Sequence, residues 1–266
     1  ANTKLLEAAS VSRGRITARV PQNVIEVLET AATMTGSTLN QFVTQAAIEK
    51  AERIIENERV IRMSAETARW FFDLIDNPPP PAPALADAFK RYHAGKVKMQ
   101  VQVQLLTSAH DRANFRCGEV DLDRWLETQA LQQQSKNTSR TFVLVDEANP
   151  EAVLGFYALT ISQADGTAVP SKRSLPQVVP VIRLGRLAIR EDLQGKGFRL
   201  GEILLLNAIE RVVEVSNLGS GVALVVDAKH DKAASFYRKY GFRASPDSPL
   251  MLYLPISVCR ELVMAP

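Results

Sequence analysis

The first pattern along the chain is a short alternation. In Arg15-Ile-Thr-Ala-Arg-Val20, apolar Ile16, Ala18 and Val20 alternate with Arg15, Thr17 and Arg19, the period of a half-buried strand. Pro21 then stands as the first residue of a helix whose Val24, Val27, Leu28 and Ala31 share one face. Gly36 ends that helix and Ser37 or Thr38 caps a second, striped by Leu39, Phe42, Val43, Ala46 and Ala47. One strand and two helices cannot bury their own apolar surface, so this segment is expected to dimerise by pairing its strand with that of a second copy.

Further along, Ser64-Ala-Glu-Thr67 fits a capping box with Thr67 in the usual Glu position, and Trp70, Phe71, Leu74 and Ile75 form the apolar face of the helix it opens. Asn77-Pro-Pro-Pro-Pro-Ala-Pro83 reads as a stiff polyproline spacer before a short helix at about Leu85 to His93, with Leu85, Phe89 and Tyr92 on one side. Two such short helices carry more aromatic surface than they can hide alone, so both are expected to dock on a partner.

From Met99 the style changes to alternating strands and helices. Val179 to Ile189 is an apolar strand interrupted by Arg183 and Arg186. It runs into Arg190-Glu-Asp-Leu-Gln-Gly-Lys-Gly-Phe-Arg-Leu-Gly-Glu202 and then a long apolar helix, Ile203 to Val215. A strand entering a Gly-rich turn and then a helix is a phosphate cradle, because unpaired amides and the helix dipole face the anion. A second strand, Val222 to Val226, is followed by Asp227-Ala-Lys-His-Asp-Lys-Ala-Ala-Ser-Phe-Tyr-Arg-Lys-Tyr-Gly-Phe242.

Composition narrows the class. The chain has 266 residues, 46% apolar and 23% charged, enough for two domains. No apolar run approaches the ~18 residues of a membrane span, and no short apolar signal core precedes the first strand, so a soluble cytoplasmic protein without membrane contact is expected. Cys117 and Cys259, with His93, His110 and His230 far apart, form no metal or disulfide framework. The net charge is only +3. Lys4, Arg13, Arg15 and Arg19 against Glu7 account for all of it, which makes the first strand and its leader a candidate DNA-contacting patch.

Residues 13 to 57 resemble the ribbon-helix-helix fold, and more narrowly the TacA-type antitoxins. The resemblance implies that Arg15, Thr17 and Arg19 face the major groove of operator DNA, where arginine forks onto guanine or phosphate and threonine contacts base or backbone. It also implies that the helical tail wraps a cognate toxin, here residues 99 to 266 of the same chain. The loop from Gln194 and the helix end Ala233-Ala-Ser-Phe-Tyr-Arg-Lys-Tyr-Gly-Phe242 together resemble the GNAT acetyltransferases, which use acetyl-CoA as cosubstrate. That resemblance places Gln194, Gly195, Lys196, Gly197, Arg199, Leu200, Gly201 and Glu202 about the cofactor phosphates. The loop is about two residues long relative to the commoner spacing, and it admits two registers, Gln194 to Arg199 or Arg199 to Glu202. The backbone of Leu187, Ala188 and Ile189 is implied to hold the pantetheine arm, with Phe236 beside it. Tyr237 is implied to donate a proton to the leaving thiolate.

Phe115-Arg-Cys-Gly118, Asp121-Leu-Asp-Arg-Trp-Leu126, Ser139-Arg-Thr-Phe-Val143 and Gly155-Phe-Tyr-Ala-Leu159 narrow the resemblance to GNAT toxins paired with TacA-type antitoxins. Those enzymes acetylate the amino group of aminoacyl-tRNA, and Arg140, Arg183 and Arg186 are candidate transfer-RNA contacts. No Asp, Glu or His stands at an obvious general-base position; Lys229 and His230 read as loop residues and Cys117 as core.

The expectation is an α+β chain. A dimerising ribbon-helix-helix domain (1–57) leads through a helical, proline-containing tail (58–98) to a GNAT α/β domain with a mixed central sheet (99–266). The tail restrains the acetyltransferase in cis, and the first domain forms a homodimer or higher homo-oligomer that autorepresses. Two other readings stay open: an acetyltransferase of a small-molecule or protein amine with a dimerisation module, and a DNA-binding regulator that senses acetyl-CoA.

Overall fold

A computed structural model of the chain describes residues 16–95, 99–168, 176–219 and 221–264, without the side chains of 52–58. The chain forms two compact units, 1–56 and 57–266.

The first unit holds α1 (Gln22–Met34) and α2 (Leu39–Arg59). Pro21 is extended and precedes α1 as its N-cap, one position earlier than the sequence pattern suggests. Gly36 turns the chain at φ +68°, a left-handed conformation that glycine adopts without strain. Thr38 caps α2: Gln41 N donates to Thr38 Oγ1 at 3.3 Å while Thr38 N donates to Gln41 Oε1 at 3.0 Å. The expected strand at 15–20 does not form. Residues 16–20 are exposed and unpaired, as a lone strand must be when no second strand supplies a ladder, and Arg15 lies outside the described residues. Ala32 is the one buried residue among those described in this unit, while Ile16, Val27 and Met34 stand open to solvent.

The second unit is built on a mixed sheet. Its strands are β1 (Val60–Arg62), β2 (Val101–Leu105), β3 (Arg140–Asp146), β4 (Asn149–Asp165), β5 (Val178–Ile189), β6 (Ala223–Asp227), β7 (Arg243–Ala244) and β8 (Met251–Pro255). The order is β2-β3-β4-β5-β6-β8-β7, with β1 parallel to the far end of β4. Of the other neighbours, only β5 and β6 run parallel.

One face of this sheet is covered by α7 (Leu200–Leu218), α8 (Asp231–Lys239), α9 (Ile256–Val263) and α4 (Pro83–His93). The other face is covered by α5 (Val120–Thr128) and α6 (Ala130–Ser135) at one end and by α3 (Ala65–Asp76) at the other. The tail therefore touches both faces. From α3, Phe71 (0% exposed), Phe72 and Leu74 pack on Val179, Val181, Val225 and Tyr253; from α4, Leu85, Ala88 and Phe89 pack in the cluster built by α7. Each leucine and phenylalanine among them contributes roughly 1.5–3 kcal/mol when fully buried. The prolines between the two helices carry the chain from one face to the other, and α4 begins at Pro83, where a missing N–H costs nothing.

Ser64 Oγ accepts from Thr67 N at 3.1 Å, closing the expected cap of α3. Strand β1 was not legible: its three residues form a strand only because the edge of β4 offers Gln163 to Asp165 as partners.

Candidate functional site

The site begins where β5 parts from β6. The two strands pair only over Ile182–Leu184 and Leu224–Val226. Gly185 then falls in an irregularity in the pairing of β5 with β4, and Leu187, Ala188 and Ile189 keep β4 as neighbour on one side only. On their other side β6 no longer pairs with them, the position the pantetheine reading needs.

Beyond Ile189 comes a 3₁₀ turn, Glu191–Leu193, and then the glycine loop. Gln194 staples it: its Nε2 donates to Cys117 O at 2.9 Å and to Ile189 O at 2.8 Å. Gly195, Gly197 and Arg199 have φ of +71°, +76° and +57°, so alternate residues turn left-handed and the loop curls into a concavity. Arg199 is the N-cap of α7, and the first intrahelical bond is Ile203 N to Arg199 O. The amides of Leu200, Gly201 and Glu202 are thus free of helix partners and point out of the helix N-terminus. The free amides lie within the second of the two registers, and the left-handed Gly195 and Gly197 precede them.

A cleft of about 670 Å3 lies over this loop. Of the cofactor residues expected from sequence, Ile189, Gln194, Gly195, Gly197, Arg199, Leu200, Gly201, Glu202 and Phe236 line it, whereas Leu187, Ala188, Lys196 and the catalytic candidate Tyr237 do not. Ala84, Asp87 and Arg91 of α4 line it as well. Arg91 Nη2 donates to both oxygens of Glu202, at 3.0 and 3.1 Å, and Tyr240 OH donates to Glu202 Oε2 at 2.7 Å. Arg199 stands 3.8 Å away. Glu202 is 8% exposed, and a carboxylate so buried needs these partners. Burial, then the hydrogen bond to Glu202, pushes the Tyr240 phenol up. Sequence reasoning assigned Glu202 to phosphate contact; the structure shows it engaged by the tail, a pairing across 111 residues that no local pattern reveals.

Tyr237 lies beside the cleft on α8, edge-on to Phe236 and Phe242 at 5.2 and 5.4 Å between ring centroids. Its phenol is pushed up by burial, which keeps the proton in place at neutral pH, and its hydroxyl has no hydrogen-bond partner among the described residues. His230 is structural, its Nδ1 capping α8 by accepting from Ala233 N at 3.1 Å. Lys229 pairs with Glu119 and stands 3.9 Å from Asp121. Burial, with Asp123 adding to it, pushes the Cys117 thiol up to about 12, so it carries no thiolate.

The three candidate transfer-RNA arginines do not form one patch. Arg140 is exposed, opposite Leu159 and so on the α7 face, and donates to Asn137 Oδ1 at 2.9 Å. Arg183 and Arg186 lie on the other face. Arg183 is 9% exposed and donates to Asp227 Oδ2 at 3.1 Å, and the Arg186 guanidinium sits 4.2 Å over the Trp125 ring. Thr17 and Arg19 are exposed. Among the described residues no His, Cys, Asp and Glu cluster could hold a metal, and no helix is long and apolar enough to cross a membrane.

Residues 104–242 match the acetyltransferase (GNAT) family. The chain belongs to the GNAT acetyltransferases. Its enzymatic domain is an acetyl-CoA-dependent N-acetyltransferase, and residues 15–94 match the antitoxin TacA 1-like family. Among its relatives, a tRNA-acetylating toxin of Mycobacterium tuberculosis is 37% identical over 160 residues, which cover 59% of this GNAT chain and 93% of that protein. An orphan TacA antitoxin of Haemophilus influenzae is 31% identical over 84 residues, covering 32% of this chain and 85% of that protein. Two solved structures, AtaTR bound with AcCoA and AtaT complexed with acetyl-methionyl-tRNAfMet, superpose with TM-scores of 0.56 and 0.55. Each is 30% identical and covers 62% of this chain and 99% of the matched chain.

Proposed function

We propose that the chain unites an acetylating toxin with the antitoxin that restrains it. The GNAT domain moves acetyl from acetyl-CoA to the amino group of aminoacyl-tRNA, which removes the charged RNA from translation. The tail, 58–98, holds the domain in check, and the first unit pairs with a second copy and binds operator DNA through Arg15, Thr17 and Arg19.

The observation that carries this reading is the shared cleft: Ala84, Asp87 and Arg91 of the antitoxin tail line the same space as the glycine loop. Similarity to a tRNA-acetylating toxin supports the acceptor. The exposed Ile16, Val20, Val27, Val43 and Ile48 support pairing of the first unit, since so much open apolar surface favours association.

In the reaction, Leu200, Gly201 and Glu202 offer their amides and the α7 dipole to the pyrophosphate, and the open edge of Leu187–Ile189 takes the pantetheine amides. Bound acetyl-CoA supplies an activated thioester. As the neutral amine forms its N–C bond and the C–S bond breaks, Tyr237 gives its proton to the departing thiolate. Water takes the proton lost by nitrogen and later restores that of Tyr237.

Induced expression tests the reading. The chain lacking residues 1–97 should arrest growth and translation where the full chain does not. A truncated domain that is folded and soluble but leaves translation untouched contradicts it.

A further inference from the structure

A second cavity, of about 360 Å3, lies on the sheet face away from α7. Its floor includes Arg183 of β5, Asp227 of β6 and Tyr253 of β8; its roof is β1 and Thr67 of α3. Strand alternation fixes the side. Leu184 and Val226 point into the cluster built by α7, so Arg183 and Asp227, their strand neighbours, point the other way. Both stand at the place where β5 and β6 part.

This geometry divides the cleft between two reactants. The glycine loop and the free amides of α7 serve one face, so a molecule that attacks the thioester must arrive from the other, where Arg183 and Asp227 are charged groups at the point of entry. The Asp227 side chain is 49% exposed. Its Oδ2 accepts from Arg183, and its Oδ1 has no partner among the described residues.

We infer that Asp227 accepts an N–H hydrogen bond from the acceptor amine, that Arg183 fixes the carboxylate for this purpose, and that β1 and α3 close the same entrance when the tail is docked. This deepens the aminoacyl-tRNA reading and rests on it for the acceptor's identity. An isolated carboxylate would hold the amine as unreactive ammonium. The cavity lining sets Arg62 and Arg183 against Asp227 and Asp247, so the site is close to neutral, orients the amine through an N–H and leaves the lone pair free to attack. The roof is pinned at three backbone partners of β4, and Asp247 accepts from the hydroxyls of both Ser64 and Thr67, the latter at 2.7 Å.

The test uses the full chain with Phe71→Ala and Phe89→Ala, which loosen the two tail helices. Acetyl transfer is followed to two acceptors, a mixture of aminoacyl-tRNAs and methionine methyl ester. In Asp227→Asn the amide carbonyl turns to Arg183 and its NH2, a donor, faces the amine. KM for both acceptors should rise at least about tenfold while KM for acetyl-CoA stays within about twofold, with Asp227→Glu intermediate. Acceptor KM values unchanged in Asp227→Asn overturn the inference, as does the absence of transfer to either acceptor in a loosened chain that still binds acetyl-CoA. Transfer to the ester alone, with the Asp227 dependence, keeps the amine site and removes transfer RNA as the acceptor.

Discussion

Replacing Phe89 with alanine separates the tail's proposed gating role from its structural one. Phe89 is 3% exposed and belongs to the core shared by α4 and α7, while alanine keeps the helix intact because it has the best helix propensity. Truncating a buried phenylalanine costs about 3–5 kcal/mol. The loss falls on the docked state of α4, because an undocked α4 has already given up those contacts. At about 1.4 kcal/mol per tenfold, the ratio of docked to undocked α4 falls by roughly two to three and a half powers of ten. Two measurements on the full chain read the consequence: hydrogen exchange of the α4 amides, and calorimetric titration with acetyl-CoA. Exchange should quicken and apparent affinity for acetyl-CoA should rise, up to the limit where α4 is always open. Faster α4 exchange with unchanged affinity and unchanged acetyl transfer would falsify the proposal that α4 gates the cofactor cleft.

Further outcomes follow from the same geometry. Tyr237→Phe should lower kcat by about two to four powers of ten with acetyl-CoA affinity unchanged, as loss of a proton donor does; a matching fall in affinity would instead make Tyr237 a packing residue. The hydroxyls of Ser64 and Thr67 hold the Asp247 carboxyl below its ordinary range, so its contribution to docking α3 is present above the ordinary carboxylate pKa and is lost as pH falls through the depressed value. Exchange of α3 amides should therefore accelerate below about pH 4, and Asp247→Asn should abolish that step; an identical pH profile in the variant refutes the anchor. Sedimentation of the full chain should show at least two copies, and Ile16→Asp should reduce it to one; a single-copy mass for the unaltered chain rejects pairing through the first unit.

The parts of this structure that were legible from sequence are those decided locally. The glycine loop, the cap at Ser64 and the stop at Gly36 each rest on a few consecutive residues with special backbone or capping needs, whereas α7 starts at Leu200, three residues before the expected Ile203. The apolar faces of α3 and α4 likewise announced a docking surface, because aromatic residues at helical spacing demand cover. What escaped depends on distant partners. Strand β1 exists only against β4. Arg183 reads from sequence as a candidate transfer-RNA contact, and only the fold shows it buried against Asp227, 44 residues away. Glu202 sits in a helix start that predicts phosphate contact, and only the tertiary arrangement shows that Arg91 holds it. The alternation at 15–20 is the reverse case: a strand pattern whose described residues, 16–20, form no strand in the single chain, as the proposed pairing with a second copy would require.

The measurement that bears most directly on the whole account is transfer of labelled acetyl from acetyl-CoA to charged transfer RNA. It should be run with the full chain, with the chain lacking residues 1–97, and with the latter carrying Tyr237→Phe. Label is expected on the aminoacyl amine with the truncated chain, little with the full chain, and a loss of about two powers of ten or more with Tyr237→Phe. Equal labelling by the full and truncated chains contradicts restraint by the tail, and no labelling of charged RNA by a truncated chain that binds acetyl-CoA contradicts the proposed acceptor.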